Sequence, residues 1–347
     1  MFIFLIVLSW ICIYGMKFSK PDGFNENYLS RNDTTAVKGI FVFLVFMSHF
    51  IQYYDMNTVF DNPYKLVRKF LGQLVVVMFL FYSGYGIFES IKKKGTDYVK
   101  GLPVNRCLKV LFHLDLAVII FLVLDLIIGK KVTLTKFLFS LVGWANIGNS
   151  NWFIFTIIIL YLLVFISFML FKSKPVFAIA FTTLLTGAYM FIMSKYVDAY
   201  WYNTALCFPL GMWYSLYKEK IGKFFMRNNI IYILSVAFFA VLLAVSYKTK
   251  RNFAMYELYT ISFTLLVVLV TMKISFGNKV LLWLGNHVFS VYILQRIPMT
   301  VFQKIDIVSS NRYIYFTLCF VITVILAELF DRFTAILDKK LFVGKKR

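Results

Sequence analysis

The sequence predicts an all-α fold, a polytopic transmembrane helical bundle with about ten or eleven spans. Of its 347 residues, 61% are hydrophobic and only 15% are charged. A soluble domain normally has about a quarter of its residues charged, so this composition excludes an ordinary soluble protein. The apolar residues form continuous runs of roughly 17–25 residues, the length of a spanning helix, without the alternation of a membrane β-barrel.

The apolar runs follow one another along the chain with short, often basic connections between them. They cover residues 1–16, 38–54, 70–91, 106–128, 151–171, 175–194, 201–217, 229–247, 256–272, 280–302 and 313–333. The first run is short, and Pro209 and Gly211 interrupt the seventh. Because the first run has neither a basic region before it nor a small-residue cleavage site, we interpret it as a retained helix rather than a signal peptide.

One membrane domain is expected to fill most of the chain, because no connection is long enough to separate two folded domains. We assign residues 1–28 to an extra N-terminal transmembrane helix with its inner loop. Residues 29–337 are assigned to the main membrane domain, and residues 338–347 to a basic cytoplasmic tail.

The charge distribution indicates which kind of partner the chain meets and how the chain is oriented in the membrane. A net charge of +21 would suggest nucleic acid in a soluble protein. Here Lys and Arg lie at the ends of apolar runs, where they orient helices and meet anionic lipid head groups, so no nucleic acid partner is expected. The positive-inside rule places the N-terminus outside and the C-terminus in the cytoplasm of a plasma or inner membrane. Residues 130–151 then face outward, and residues 134–141 are expected to lie in the interface as an amphipathic turn.

The cysteines predict neither a disulfide framework nor a metal site. All of them lie in or beside apolar runs, without the spacing of metal ligands. They are Cys12, Cys107, Cys207 and Cys319.

His49 and Lys38 are the first candidates for chemistry, because ionisable groups inside a membrane segment are costly and therefore often functional. Eleven helical steps separate them, which places both side chains within about 20° of one helix face and roughly 16 Å apart along the axis. Lys38 is expected to open the helix at the inner face, with His49 near its outer end. A neutral imidazole in an apolar site is a competent general base. The alternative is a capping lysine and a histidine bonded to a neighbouring helix.

Arg106 and Lys109 begin the fourth apolar run on the predicted inner side. Arginine binds phosphate in a bidentate manner, so these residues are candidates for holding the phosphates of a cytosolic cofactor. Ordinary positive-inside anchoring is the alternative.

The remaining ionisable residues in apolar runs are expected to have structural roles. His113 and Asp115 point to different helix faces, which favours interhelical hydrogen bonds over a direct pair. His287 is expected to be a surface or capping residue. Glu328 and Asp331 are expected to pair with the nearby arginine or with another span.

Ser83-Gly84-Tyr85-Gly86 interrupts an otherwise aromatic third run. Small residues in a membrane helix permit close approach of a neighbouring helix.

Five motifs in this order resemble those of the acyltransferase family 3 membrane proteins, the O-acetyltransferases of bacterial surface glycans. The motifs are a basic residue with histidine eleven positions later in residues 29–49, an aromatic Ser-Gly segment at 78–85, an Arg-x-x-Lys at 106–109, a Trp-Phe at 151–153, and a Leu-Gly segment at 284–295. Two departures occur: Gln295 stands where the family often has histidine, and Val288 where it has serine. Gln295 therefore receives no role as a titrating base.

The resemblance implies acyl-CoA, usually acetyl-CoA, as donor and co-substrate on the cytoplasmic side, with no permanently bound cofactor. The implied acceptor is a hydroxyl of a cell-surface polysaccharide or of its lipid-linked precursor. His49 would act as general base or, in a variant mechanism, form an acyl-histidine. Lys38, Arg106 and Lys109 would hold the phosphates of the coenzyme.

Four further residues are expected to have roles near the reaction. Ser48 and Ser83 would orient the imidazole or stabilise the oxyanion. Ser83, Tyr85 and Trp152 would line the sugar or thioester site, with simple packing as the alternative for the aromatic pair.

The sequence is also compatible with three other functions. A transporter or flippase for a glycan or lipid-linked sugar is expected to have broken helices at matching positions in two halves, and only the seventh run looks broken. A glycan polymerase is expected to have a larger external loop than residues 129–150 provide. A structural subunit would consume no acetyl-CoA.

Overall fold

A computed structural model describes residues 1–172 and 174–342 as a mainly helical chain with almost no strand, which confirms the predicted all-α fold. The helices are α1 (Phe2–Ile13), α2 (Arg31–Phe50), α3 (Asn62–Leu71), α4 (Leu74–Leu102), α5 (Lys109–Ile127), α6 (Leu134–Leu141), α7 (Trp152–Phe171), α8 (Pro175–Met193), α9 (Cys207–Leu216), α10 (Lys218–Phe225), α11 (Asn229–Thr249), α12 (Phe253–Thr271), α13 (Lys279–Asn286), α14 (Val288–Leu294), α15 (Arg296–Phe302), α16 (Asp306–Ser309) and α17 (Arg312–Leu341). Two short strands, β1 (Lys17–Phe18) and β2 (Ile274–Ser275), pair in antiparallel register.

The chain is a multipass membrane protein. Over the described residues, seven helical stretches are long and apolar enough to cross a membrane. One of them, Leu74–Ile127, runs through 54 residues and contains two of the predicted apolar runs. Gly95 interrupts its helical path with a φ of 62°, a left-handed conformation that favours glycine. The shorter apolar helices Phe2–Ile13 and Val288–Phe302 cover the first run and most of the tenth.

Two of the predicted runs are broken rather than one. The seventh run contains only the ten-residue helix α9, which follows a short 3₁₀ turn at Ala199–Trp201. The tenth run is divided into α13, α14 and α15, with breaks at His287 and Gln295. The expectation of a single broken run is therefore wrong. The tenth run kept its apolar character across its breaks, so hydropathy did not reveal them.

The chain divides into two compact units, which are described separately. Unit 1 comprises Met1–Phe41, Thr58–Val99 and Ile166–Asn286. In this unit α11 packs along α12, and α9 packs against α8 and α12. Unit 2 comprises Val42–Asn57, Lys100–Phe165 and His287–Arg347. In this unit α17 packs against α14, α15 and α16, while α5 packs against α6 and α14.

In unit 1, the close approach of α4 and α9 depends on two glycines, as the small residues of the third run predicted. A Cβ atom on Gly84 of α4 would overlap the carbonyl oxygen of Phe208. A Cβ atom on Gly211 of α9 would overlap the carbonyl oxygen of Phe81 in α4. Gly86 lies two residues beyond Gly84, and a Cβ there would meet nothing within 4 Å.

An aromatic core in unit 2 fixes the end of α2. The ring of Phe46 lies 5.2 Å from that of Phe316, and the ring of Phe50 lies 4.8 Å from that of Tyr315. Such aromatic pairs contribute about 0.5–1.5 kcal/mol each beyond the burial of their area. The last turn of α2, which carries His49, is therefore held against the first turns of α17.

Candidate active site

His49 lies at the end of α2, where three elements of unit 2 converge. It is the second-last residue of that helix and is half-buried. Its ring lies 5.9 Å from the ring of Tyr292 in α14. The Tyr292 ring lies 5.9 Å from that of Phe153 at the start of α7. The imidazole therefore lies beside an aromatic ring of α14, which in turn contacts an aromatic ring of α7.

Ser150 is the hydrogen-bonding neighbour of the imidazole. Its hydroxyl oxygen lies 3.5 Å from Nδ1 of His49, and its side chain is buried. When Nδ1–H donates to this oxygen, Nε2 of His49 is unprotonated and can accept a proton. Ser150 thus can select the tautomer that a general base requires.

The loop before α7 holds Ser150 in place through its own hydrogen bonds. The side-chain amide of Asn151 donates to the carbonyl of Gly143 at 2.8 Å. The backbone N–H of Ile147 donates to Oδ1 of Asn149 at 3.1 Å. Gly143 adopts a φ of 73°, which favours glycine and lets the chain turn sharply after α6. This loop is the segment predicted to face outward, and the predicted amphipathic turn before it is helix α6.

Arg296, the first residue of α15, completes the arrangement directly after the break at Gln295. Its Nε donates to the hydroxyl oxygen of Ser150 at 3.2 Å. Its Nη2 donates to Oε1 of Gln52 at 2.8 Å, and its Nη1 donates to the hydroxyl of Tyr53 at 3.4 Å. The guanidinium therefore ties the segment after α2 to the Ser150 loop and brings a positive charge to within two hydrogen bonds of His49.

Lys109 is engaged in an ion pair inside unit 2. Its ammonium lies 2.6 Å from a carboxylate oxygen of Asp338 in α17. His113 contacts the other oxygen of the same carboxylate at 2.9 Å, which confirms the expected interhelical bond. Asp115 does not share this role, because its buried Oδ1 has no hydrogen-bond partner among the described residues. A phosphate at Lys109 would have to share the ammonium with Asp338.

Arg106 and Trp152 also belong to unit 2. Arg106 lies in the π-helical stretch Pro103–Leu108 between α4 and α5. Trp152 is the first residue of α7, and its ring meets that of Phe153 edge to face at 5.8 Å. Since Phe153 contacts Tyr292, Trp152 lies one aromatic neighbour further from His49.

Lys38, Ser83 and Tyr85 belong to unit 1. Lys38 does not open its helix as expected, because α2 begins seven residues earlier at Arg31. It is half-buried and has no hydrogen bond or ion pair with another described residue. Ser83 is half-buried and Tyr85 is buried in α4, on either side of Gly84.

Ser48 is directed to its own helix rather than to the imidazole. Its hydroxyl donates to the carbonyl of Leu44 at 2.9 Å, as is common for serine inside a helix. The serine beside the imidazole is Ser150, which the sequence did not single out.

The second half of unit 2 contains another polar cluster. Nδ1 of His287 lies 2.5 Å from a carboxylate oxygen of Asp331, and the hydroxyl of Ser290 donates to the same carboxylate. Glu328 pairs with Arg332 at 2.7 Å, so both acidic residues have the partners expected for them. His287 occupies the N-cap position of α14, but its side chain bonds a carboxylate instead of the helix end. In the described part of the chain, no group of three or more His, Cys, Asp or Glu residues could hold a metal ion.

Arg296 was detectable in the sequence, whereas Ser150 was not. An arginine inside the apolar run 280–302 is an ionisable group at membrane depth and deserves the same functional hypothesis as His49. Ser150 lies in a polar stretch of a kind that precedes many helices, and its partner is 101 residues away. Only the folded structure brings the two together.

A family model described as an acyltransferase domain matches residues 32–332. The matched region begins in α2 and ends in α17, and it includes His49, Ser150 and Arg296. No curated protein matches the chain, and no solved structure matches it either.

Proposed function

This chain belongs to the acyltransferase family 3 of membrane proteins, and we propose that it transfers acetyl from acetyl-CoA to a hydroxyl of a cell-surface polysaccharide or of its lipid-linked precursor. The family match makes the protein a membrane acyltransferase. The donor, the acceptor and the location in a plasma or inner membrane are parts of the proposal. The observation that carries it is the half-buried imidazole of His49 beside Ser150.

His49 acts as the general base in the proposed reaction. Nε2 takes the proton from the acceptor hydroxyl while the hydroxyl oxygen attacks the thioester carbonyl. The tetrahedral intermediate then breaks its carbon–sulfur bond and expels the CoA thiolate. The imidazolium returns its proton to this thiolate, which yields free CoA, an acetyl ester and neutral His49. An acyl-histidine intermediate is the variant of the same site.

Ser150 and Tyr292 position the imidazole for this proton transfer. Ser150 accepts the hydrogen bond from Nδ1–H and so leaves Nε2 available. Tyr292 lies beside the ring and restricts its rotation. Positioned donors and acceptors of this kind reduce the reorganisation that the transition state requires.

In unit 2, Arg106 and Lys109 are proposed to hold phosphates of the coenzyme, whose negative charges their side chains match. For Lys38 of unit 1, a phosphate-binding role is proposed separately. Trp152 of unit 2 is proposed as a contact of the sugar or the thioester. The same role is proposed separately for Ser83 and Tyr85 of unit 1.

A transporter or flippase gains one supporting observation, because two apolar runs are broken. The break at Gln295 nevertheless has a role in an enzyme, since it brings Arg296 to Ser150 beside His49. Consumption of acetyl-CoA distinguishes the two functions.

Labelled acetyl-CoA tests the proposed function directly. Membranes that contain the protein are incubated with acetyl-CoA labelled in the acetyl group and with a mixture of surface glycans. Label on the glycan that mild alkali removes is the expected result, because O-acetyl esters are alkali-labile. Free labelled acetate alone, or label that alkali does not release, would contradict O-acetyl transfer.

A further inference from the structure

Arg296 has more hydrogen-bonding capacity and more charge than its protein neighbours use. Its three partners, Ser150, Gln52 and Tyr53, are all neutral. Arginine has five N–H donors, so one N–H remains on each terminal nitrogen. Among the described residues no carboxylate forms an ion pair with this guanidinium, although the side chain is half-buried.

A half-buried guanidinium with only neutral partners is costly, because burial removes water without supplying an opposite charge. Its planar fork matches the two oxygens of a carboxylate or phosphate. Lys109 provides a contrast in the same unit, since its charge is matched by Asp338. Arg296 is therefore arranged to receive an anion that the chain does not supply.

We propose that Arg296 binds an anionic group, a carboxylate or a phosphate, of the acceptor glycan whose hydroxyl reacts at His49. This inference rests on the proposed acyltransferase function and narrows the acceptor to acidic glycans. Ser150 connects the two side chains, so the anion is held next to the reacting hydroxyl.

Two features of the surroundings suit such a ligand. Gln52 is exposed, so the guanidinium group that it contacts lies next to solvent. The ring of Tyr53 lies 5.9 Å from the guanidinium carbon and offers an apolar face beside the charge. An anion on Arg296 also reduces the repulsion between the guanidinium and the imidazolium that forms during proton transfer. Acidic acceptors are therefore expected to react faster as well as bind more tightly.

The test uses pairs of acceptors that differ only in charge. The first pair is a hexasaccharide with alternating glucuronic acid residues and the same hexasaccharide with its carboxyl groups reduced to alcohols. The second pair is a phosphodiester-linked glucosyl-glycerol oligomer and neutral glucosyl-glycerol. The full chain is purified in uncharged detergent, which removes lipid phosphate as a competing source of anion. The ratio of kcat/KM for charged over neutral acceptor is measured for each pair.

The wild type is expected to prefer the charged member of at least one pair by about tenfold or more, the value of a hydrogen bond to a charged group. Arg296→Gln should reduce this ratio to about one, and Arg296→Lys should retain part of it because lysine keeps the charge but loses the fork. Arg332→Gln is the matched control: it removes an exposed arginine of the same unit and should leave the ratio unchanged.

Binding of the same oligosaccharides without acetyl-CoA separates this inference from the proposed function. A charged oligosaccharide should raise the melting temperature of the wild type and not that of Arg296→Gln. This result would support the anion site even if no acetyl transfer occurred. Equal use and equal binding of charged and neutral members in both pairs, or a charge preference that survives in Arg296→Gln, would overturn it.

Discussion

At the residue scale, the site depends on a short hydrogen-bonded series from Arg296 through Ser150 to His49. Each side chain comes from a different part of unit 2: the start of α15, the loop before α7 and the end of α2. Ser150 is buried, so its hydroxyl is shielded from competing water. Its removal would leave the imidazole without this hydrogen bond and the Nε of Arg296 without an acceptor.

Ser150→Ala is expected to lower kcat by about tenfold and to leave the KM for acetyl-CoA unchanged, because a hydroxyl that orients the base contributes about 1–1.5 kcal/mol. The matched control is Ser48→Ala. Ser48 is adjacent to His49 in sequence but bonds the carbonyl of Leu44, so its rate should stay within about twofold of the wild type. Initial rates of CoA release measure both. Equal losses of rate in the two variants would show that the hydroxyl of Ser150 does not orient His49.

A second prediction at this scale concerns the ion pair between Lys109 and Asp338. The pair either only stabilises the fold or leaves Lys109 able to bind the coenzyme. If Lys109 holds a coenzyme phosphate, Lys109→Gln should raise the KM for acetyl-CoA about tenfold. Asp338→Asn should leave this KM unchanged or lower it, since the ammonium loses its internal partner. A purely structural pair predicts that both variants lower the melting temperature and neither changes the KM.

The residues that the sequence could reveal were those whose chemistry is rare in a membrane. His49 is one of only three histidines, and its spacing from Lys38 is visible in one helix. The contact of Ser150 with His49 spans 101 residues, and serine in a loop has no distinctive pattern. Only the folded structure shows which side chains are buried, which residues pack together although they are distant in sequence, and which partner each charge has.

At the element scale, the short helix α9 of the broken seventh run is as informative as the regular helices. Helix α9 is short and packs against α4 through glycines, which lets the two backbones come close together. The apolar runs predicted every long helix, because continuous hydrophobicity is a strong signal. They did not predict that α2 begins at Arg31, since its first turn contains polar residues that hydropathy assigns to a loop.

Gly84→Ala is expected to destabilise the protein by about 1–3 kcal/mol, the usual cost of overpacking, because the new methyl group would overlap the backbone of Phe208. Gly86→Ala is the same change two residues later, where a Cβ meets no neighbour. It should be neutral or stabilising by up to about 1 kcal/mol. Melting temperatures in detergent compare the two. A loss as large for Gly86→Ala as for Gly84→Ala would show that helix contact at Gly84 is not the cause.

At the scale of the whole molecule, the alternation of apolar helices and basic connections makes the chain a multipass membrane protein. The orientation rests on the distribution of Lys and Arg and remains a prediction. Lys94 and Lys131 are both exposed, and helix α5 separates them, so a spanning α5 places them on opposite sides.

Labelling of single cysteines tests this orientation. In a cysteine-free background, Lys131→Cys should react with an impermeant maleimide in intact cells, because its loop is predicted outside. Lys94→Cys should react only after the membrane is permeabilised. The reverse pattern would invert the orientation, and labelling of both in intact cells would contradict a membrane-spanning α5.

The rate of acceptor-dependent CoA release by His49→Ala tests most directly whether His49 is the base of an acyltransferase. Wild type and variant are compared in membranes at equal amounts, with melting temperature as the check on folding. We expect the rate to fall by about 100- to 10,000-fold in a folded variant, the usual contribution of a general base. A folded His49→Ala protein that releases CoA with acceptor at close to the wild-type rate would contradict it.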